Sequence, residues 1–307
     1  MSLSIEKAHL INVLKGHKTL ILNLSWNLDG KILATAGLDG LIRLWDMAED
    51  GKEAGMLEGF TNYALCLSWG PDNHNLAAGT HQKTIDIWDI EKRKFRFSLR
   101  GHRDSVNTLS WSADGKWLAS GSYDGEVKIW NLTSPAPIKS LGINDSFTQA
   151  VHFSKDGHKL AAGSRGGTIK LWSAQTHQVL ESIETHSRGI YSLCLSNNDR
   201  CLAAGCGNGK ILLIDYKNRE ERTLIGHQGA VTGLSFHGQF NLLASMSKDN
   251  TVRIWNIDLF KELLAIDVVH SGYNQANLNF HPVKPLLACL ADEGKRIQIW
   301  ELVIDRK

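Results

Sequence analysis

The sequence of 307 residues lacks the features that would point to a membrane or to secretion. No apolar run approaches the length of about 18 residues that a membrane helix needs. The charged residues Glu6 and Lys7 interrupt the start, where a signal peptide would carry its apolar stretch. We therefore expect an intracellular protein, cytoplasmic or nuclear, that has no membrane partner.

Cysteine is scarce and follows no pattern. The five cysteines are odd in number and show no C-x-x-C spacing, which argues against both a zinc site and a disulfide framework. All lie in apolar, strand-like stretches, so we expect buried free thiols at Cys66, Cys194, Cys201, Cys206 and Cys289. The 13 histidines include no H-E-x-x-H motif, so we expect no metal site and no cofactor.

Neither sign of charge predominates. The chain has 34 Lys and Arg against 32 Asp and Glu, a net charge of +2, which implies neither a polyanion nor an acidic partner. One local basic run, residues 91–96, could contact phosphate groups. Phe95 and Phe97 alternate there with Lys94 and Arg96, as expected for charged protection of an exposed outer strand. Nucleic acid is therefore not the expected partner.

A repeat dominates the sequence. Six tryptophans follow Ile or Leu at intervals of 42 to 45 residues, apart from one double interval of 83 in which Ile214 holds the missing place. They are Trp45, Trp88, Trp130, Trp172, Trp255 and Trp300. A histidine recurs in step in five of the units, at His17, His102, His186, His227 and His270. Seven units of 41 to 45 residues therefore fill the chain.

Each unit carries the pattern of four short strands. In the third unit, residues 106–111 alternate between apolar and polar, turns follow at 113–115 and 123–125, and 117–122, 126–130 and 138–141 read as further strands. Four-stranded sheets repeated at this period predict an all-β propeller, in which each sheet buries its faces against its neighbours. The core is then expected to lie between the blades, with no single centre.

The unit from Gly16-His17 to Trp45-Asp46 resembles the WD40 repeat, and the resemblance extends over nearly the whole chain. It implies one domain, residues 1–307, folded as a seven-bladed WD40 β-propeller with four antiparallel strands per blade. The last unit ends seven residues after Trp300, too early for a fourth strand of its own. We expect the N-terminal segment at about residues 9–15 to supply the outer strand of blade 7 and close the ring, as in similar propellers.

The third unit also contains His102, Ser120 and Asp124, the residue types of a hydrolase triad. The same intervals of 18, 4 and 6 residues that lead from His102 to Trp130 recur in two other units, whereas a catalytic site needs one copy. WD40 proteins are known for a structural network of Asp, His, Ser or Thr, and Trp. The resemblance assigns this network to His17, Thr35, Asp39 and Trp45; to His102, Ser120, Asp124 and Trp130; and to His227, Ser245, Asp249 and Trp255.

The other units depart from that network. Blade 2 has Phe60, Ala78 and Gln82 at the His, Ser/Thr and Asp positions, and blade 4 has Asn144, Ala162 and Gly166. Blade 5 keeps His186 but has Ala204, Asn208 and Ile214. We expect blades 2 and 4 to depend more on apolar packing than on polar contacts.

Function is expected on the face where the His-bearing loops and Asp-bearing turns emerge, here called the top face. The positions three and five residues after the histidine, and the position just before the aspartate, should surround the channel mouth. In relatives such positions often contact peptides. The candidates for partner binding are Leu20, Leu22, Leu38, Tyr63, Leu65, His81, Tyr123, Phe147, Arg165, Tyr191, Lys248 and Tyr273. If exposed together, their apolar members form a patch typical of a protein interface, although several could instead pack into the channel wall.

Two classes of function fit this pattern. The first is a non-enzymatic scaffold, a monomeric propeller that binds a partner peptide or protein on its top face within a larger complex. The second is a ligand- or protein-sensing WD40 domain of a larger, NTPase-linked signalling protein. A hydrolase ranks third, because the repeated intervals supply neither an activated hydroxyl nor an oxyanion hole.

Overall fold

A computed structural model of the chain describes residues 3–58, 63–143, 146–196, 198–216, 220–269 and 277–306. These residues form seven antiparallel sheets of four strands each, and no helix occurs within them. In the same ranges, therefore, no helix has the length and apolarity to cross a membrane. The predicted all-β, seven-bladed propeller is confirmed.

The chain begins with β1 (Leu3–Leu14). Blade 1 contains β2 (Ile21–Trp26), β3 (Ile32–Gly37), β4 (Ile42–Asp46) and β5 (Lys52–Leu57). Blade 2 contains β6 (Ala64–Trp69), β7 (Asn75–Thr80), β8 (Thr84–Asp89) and β9 (Lys94–Arg100). Blade 3 contains β10 (Val106–Trp111), β11 (Leu118–Ser122), β12 (Glu126–Trp130) and β13 (Lys139–Gly142). Blade 4 contains β14 (Thr148–Phe153), β15 (Lys159–Ser164), β16 (Thr168–Ser173) and β17 (Val179–Glu184).

The remaining blades follow the same order. Blade 5 contains β18 (Ile190–Leu195), β19 (Cys201–Cys206), β20 (Ile211–Asp215) and β21 (Glu220–Leu224). Blade 6 contains β22 (Val231–Phe236), β23 (Leu242–Ser247), β24 (Thr251–Asn256) and β25 (Lys261–Asp267). Blade 7 contains β26 (Leu278–Phe280), β27 (Leu286–Ala291) and β28 (Arg296–Arg306), with β1 as its fourth strand.

Tight turns on the top face join the second and third strands of each blade. In blade 3 the turn places Gly125 at φ 82°, and its N–H donates to the carbonyl of Ser122 at 3.1 Å. A left-handed backbone of this kind suits glycine or asparagine, and blade 6 has Asn250 at φ 65° in the same place. The turn sets Asp124 at a fixed distance from the loop before the blade.

The core lies between the blades, as predicted. Buried apolar side chains of the described residues form seven clusters, and each cluster joins two neighbouring blades. Between blades 2 and 3, for example, Ile85 and Ile87 pack with Val106 and Trp130, all at most 1% exposed. All five cysteines are buried free thiols in these sheets, as expected. Burial raises the pKa of Cys289 to about 12.

The ring closes through the N-terminal strand, as predicted, but that strand is longer than expected. β1 pairs antiparallel with β28 from Leu14 opposite Ile297 as far as Leu3 opposite Arg306. It thus starts at Leu3 and not near residue 9. The extra residues continue past a register shift between Ile5 and Lys7, and Ile5 is buried in the cluster between blades 6 and 7. This irregularity breaks the simple alternation that would have marked a strand in the sequence.

Candidate protein-binding face

The three quartets are hydrogen-bonded networks. In blade 3, Nδ1 of His102 lies 2.8 Å from the Asp124 carboxylate, and Nε2 lies 2.7 Å from Oγ of Ser120. The indole N–H of Trp130 donates to the same Oγ at 2.8 Å. With the Nδ1 proton directed to the carboxylate, Nε2 accepts the hydroxyl proton of Ser120. Every buried polar atom of the network then has a partner.

The other two quartets repeat this geometry. In blade 1, His17 is 3.0 Å from Asp39 and 2.9 Å from the Thr35 hydroxyl, to which Trp45 donates at 2.9 Å. In blade 6, the three corresponding distances among His227, Asp249, Ser245 and Trp255 are all 2.8 Å. The hydroxyl-bearing residues Thr35, Ser120 and Ser245 are 0% exposed, so none of them can meet a substrate.

The protonation states of the quartets follow from burial and hydrogen bonding. Burial lowers the pKa of His17 and His227, although the partner aspartates oppose this effect. Burial alone would raise the pKa of Asp249, but hydrogen bonds from Thr251, the Gln228 backbone and His227 lower it to about 2. At neutral pH the networks of blades 1 and 6 therefore join a neutral imidazole to an ionised carboxylate.

Blades 2 and 4 have polar contacts of their own in addition to the apolar packing expected from their sequence. In blade 2, Ser98 donates to the Asp86 carboxylate at 2.7 Å, and the Thr84 hydroxyl donates to the same oxygen at 3.2 Å. In blade 4, the Thr168 hydroxyl donates to the Glu184 carboxylate at about 2.9 Å. The Ser98–Asp86 and Thr168–Glu184 contacts join the third strand to the fourth, at positions outside the quartet register.

A second set of tryptophans was missed from the sequence. Trp26, Trp69 and Trp111 end the inner strands of blades 1 to 3, and each indole N–H donates to a backbone carbonyl of the preceding blade. The distances are 3.1 Å to Asn279, 2.9 Å to Ser25 and 3.1 Å to Ser68. These three tryptophans are 43 and 42 residues apart, which is the length of one repeat, and this spacing could have identified them from the sequence.

Three positions per blade were predicted to surround the channel mouth on the top face, and we call them rim positions. In each of blades 1 to 6, one backbone hydrogen bond joins two of the three. The residue before the aspartate position donates its N–H to the carbonyl of the residue three after the histidine position, at 2.8 to 3.4 Å. The pairs are Leu38 to Leu20, His81 to Tyr63, Tyr123 to Ser105, Arg165 to Phe147, Gly207 to Gly189 and Lys248 to Ala230. The two positions are therefore neighbours in space, and their side chains form one rim.

The third predicted position, five residues after the histidine, lies deeper than expected. In blades 1 to 6 it falls at a register shift at the start of the inner strand. Such a β-bulge redirects the side chain. Leu22 is only 8% exposed and cannot belong to an exposed patch. Asn107, Gln149, Tyr191 and Thr232 line the central channel, while Leu65 is half-buried.

Side-chain contacts link the rim from blade 2 to blade 4. Tyr63 stacks on His81 with centroids 5.3 Å apart, and His81 Nδ1 lies 3.0 Å from the Ser105 hydroxyl of blade 3. Tyr123 contacts Phe147 of blade 4 at 5.3 Å. These contacts join the rim positions of adjacent blades into a continuous row of side chains.

Exposure varies along this row. Phe147 is 43% exposed, and His81 and Arg165 are exposed as well. Leu20, Leu38, Tyr63, Tyr123 and Lys248 are half-buried. Tyr273, like Phe60, Asn144 and His270, lies outside the described residues.

Comparison with known proteins agrees with this geometry. A family model described as IFT122 first beta-propeller matches residues 63–306, and a model described as WD domain, G-beta repeat matches residues 8–46. The chain belongs to the WD-repeat β-propellers. The resemblance seen in the repeat is thereby confirmed.

Individual relatives of this WD-repeat propeller match short stretches. The chain is 36% identical over 80 residues to periodic tryptophan protein 2 homolog of Schizosaccharomyces pombe, which covers 26% of the chain and 9% of the relative. It is 29% identical over 89 residues to small ribosomal subunit protein RACK1 of Glycine max, covering 29% and 26%. It is 25% identical over 101 residues to cell division control protein 4 of Candida albicans, covering 33% and 14%. Each match thus spans about a quarter of the relative or less.

Proposed function

We propose that this propeller is a protein-interaction scaffold that binds a partner peptide or protein on its top face. The observation that supports this most directly is the row of rim side chains from Tyr63 to Phe147, in which paired backbone positions present aromatic rings on one face. Aromatic side chains at a rim favour contact with a partner, because they offer large contact areas at little cost in conformational entropy. One relative is named as a protein of the small ribosomal subunit, so that relative is part of a larger assembly.

The experiment compares two triple alanine variants. Replacing Tyr63, Tyr123 and Phe147 should reduce capture of the bound partners at least about tenfold, because aromatic anchors dominate such interfaces. The matched control replaces three apolar residues at the opposite ends of the strands, each at least half exposed: Leu28, Leu259 and Val283. Quantitative affinity capture should show that the control retains the partners. Equal loss in both variants, or no loss in the first, would contradict the proposal.

The ligand-sensing alternative has one observation in its favour. A cavity of about 500 Å³ lies between blades 5 and 6, lined by Arg200, Arg222, Phe240 and Phe260 among others. Its volume falls within the range of small-molecule sites. A compound that raises the melting temperature of the wild type and leaves that of Phe240→Ala unchanged would support a sensor. A compound screen without such a hit would leave the scaffold as the better proposal.

A further inference from the structure

Blade 7 is joined to both of its neighbours by histidines at the bottom of the ring, the face opposite the top face. We call the contact between two adjacent blades a seam. His237 of blade 6 donates from Nε2 to the carbonyl of Lys284 in blade 7 at 3.0 Å, and His281 of blade 7 donates to that of Gly30 in blade 1 at 3.1 Å. The two rings are 1% and 4% exposed. Each seam of blade 7 therefore contains a buried imidazole that crosses it.

Each ring is held in its neutral form. Nδ1 of His237 accepts two backbone N–H groups of its own turn, at 3.0 and 3.2 Å. Nδ1 of His281 accepts two such groups at 3.0 and 2.9 Å. A proton on Nδ1 would point at two other N–H groups where a lone pair is needed. Neither ring can therefore be protonated while its turn and its seam keep this geometry.

The other blades have no histidine at this place, directly after the inner strand. In blades 1 to 5 the residue there is Asn27, Gly70, Ser112, Ser154 and Ser196, in that order. The asparagine and the three serines each accept a backbone N–H of their own blade. Blade 7 also has the shortest inner strand, three residues against six in every other blade. It thus combines a short inner strand with two seams that depend on histidine.

The groups around the rings oppose a buried positive charge. His281 packs against the Trp26 ring at 4.9 Å and lies near Lys284, Asp29 and His237. Lys284 and a protonated His237 would repel a protonated His281, which Asp29 would attract. His237 packs against two phenylalanine rings, at 4.6 and 5.1 Å. Burial lowers the pKa of both histidines.

On its other side, His237 borders the cavity between blades 5 and 6. The charged groups that line this cavity have partners of their own, and its one thiol is buried. They are Arg200 with Asp215, Arg222 with Glu220, Asp258 with the Asn241 amide, and the thiol of Cys201.

We propose that His237 and His281 make blade 7 a proton-sensitive gate of the ring: acidification separates blade 7 from blades 6 and 1 while the other five seams stay closed. Separation exposes both imidazoles, which can then take up a proton. The closed form is therefore stabilised above about pH 6.5, the ordinary histidine value, and this stabilisation is lost as pH falls below it. One unit below that value, each histidine favours the open form up to about tenfold, and the two together up to about a hundredfold.

Bonds that do not titrate keep the gate closed at neutral pH. The Trp26 indole donates to the carbonyl of Asn279 across the seam between blades 7 and 1 at 3.1 Å, and the N–H of Phe280 donates to the Ser235 hydroxyl across the other seam at 3.0 Å. The aromatic row of the top face lies on blades 2 to 4. The gate therefore does not depend on the proposed scaffold function.

The buried cysteines report on individual seams. Cys289 is 0% exposed in the cluster between blades 6 and 7. The clusters of three other seams contain Cys66 between blades 2 and 3, Cys206 between blades 4 and 5, and Cys194 between blades 5 and 6. Dithiodipyridine, which reacts with thiols at acidic pH as well, labels each cysteine when its seam opens. Mass spectrometry of the peptides then gives the labelling rate at each seam.

The rates are measured on the full chain at about pH 7.5 and about pH 5.5, and each is divided by the rate of the same cysteine in the urea-unfolded chain. This ratio should rise between about tenfold and a hundredfold at Cys289 on acidification, and less than about threefold at the other cysteines. In His237→Asn/His281→Asn, labelling of Cys289 should be independent of pH. The control His9→Asn/His74→Asn removes two exposed histidines and should keep the response.

Three results would overturn the gate. An equal rise at every cysteine would show global unfolding, and an unchanged ratio at Cys289 of the wild type would show that the seam does not open. A response that survives in the double variant would assign it to other groups. If that variant does not fold, the comparison of Cys289 with the other cysteines of the wild type still decides. No partner is present in this experiment, so its outcome leaves the scaffold proposal untouched.

Discussion

At the scale of single residues, the fold depends on polar atoms whose partners are placed by the repeat. Asp124 illustrates this, because one of its carboxylate oxygens accepts bonds from His102 and from the backbone N–H of Arg103, both at 2.8 Å. Loss of that carboxylate would leave the buried imidazole without its partner. An unsatisfied buried polar group costs considerably more than a surface contact.

We predict that Asp124→Ala lowers the free energy of unfolding by about 1 to 3 kcal/mol. The matched control is Asn208→Ala, which changes the equivalent position of blade 5, where the residue is exposed and no quartet exists. It should change stability by less than about 0.5 kcal/mol. Urea unfolding measures both. An unchanged midpoint for Asp124→Ala would argue against the network as a source of stability.

Two histidines at the bottom of the ring connect neighbouring blades. His237 donates from Nε2 to the carbonyl of Lys284 at 3.0 Å, and its Nδ1 accepts the N–H groups of Gln239 and Phe240. His281 likewise donates from Nε2 to the carbonyl of Gly30 in blade 1 at 3.1 Å, and its Nδ1 accepts the N–H groups of Val283 and Lys284. Both rings must be neutral, because a protonated Nδ1 cannot accept these bonds. Burial lowers the pKa of both rings.

These shifts predict a dependence of stability on pH. A histidine whose pKa is lower in the folded state contributes stability that is present above its unfolded pKa of about 6.5 and is lost as pH falls below that value. Thermal melting should therefore show a falling transition temperature between pH 7 and pH 5. His17 and His227 add to this slope, because burial lowers their pKa too.

The contribution of the two bottom histidines is isolated by His237→Asn/His281→Asn. Asparagine occupies the equivalent place in blade 1, where the Asn27 side chain accepts the N–H of Ile32 at 2.9 Å. We expect the variant to be less stable at pH 7.5 but to lose less stability on acidification than the wild type. A pH slope equal to that of the wild type would show that these rings do not titrate with unfolding.

Single residues also mark the limit of prediction from the sequence. The repeated intervals were enough to identify the atoms of the three quartets, because identical spacing in identical sheets places them together. The burial of Leu22 could not be predicted, since it depends on a bulge that a period-two pattern does not reveal. The carbonyl partner of Trp69 lies 44 residues away in another blade and carries no sequence signature.

At the scale of elements, β1 is the strand whose role can be tested most directly, because it closes the ring. β1 pairs with β28, and its Leu14 is 3% exposed in the cluster between blades 7 and 1. Closure itself followed from the count of strands, because the last unit lacked one. The true start of β1 did not, since residues 3–8 contain a register shift and two charges.

Deleting residues 1–15 should uncover the whole edge of β28 and produce aggregation, because an unpaired strand edge recruits other strands. A sharper comparison uses single charges in β1. Leu14→Asp should cost more than about 2 kcal/mol through burial of an unpaired carboxylate, whereas Ile11→Asp, at a side chain 50% exposed, should cost little. Size-exclusion chromatography and melting curves measure these effects. A monomeric deletion variant with an unchanged melting temperature would contradict closure by β1.

At the scale of the whole molecule, the propeller has two different faces. The top face presents the row of aromatic rings, whereas the opposite face presents the histidine-linked loops and isolated apolar residues such as Leu28 and Val283. The seven inter-blade clusters make the disc a rigid support for both. All seven blades share the same four-stranded sheet. The choice of a binding partner must therefore depend on the side chains at the ends of the strands.

Hydrogen–deuterium exchange of the chain with and without a captured partner tests the docking face most directly. We predict slower exchange in the loops and turns of blades 2 to 4 on the top face, around residues 80–84, 100–106, 122–126, 146–148 and 164–168. The turns at the opposite ends of the strands should be unaffected. Protection confined to those opposite turns, or to the cavity between blades 5 and 6, would contradict the account.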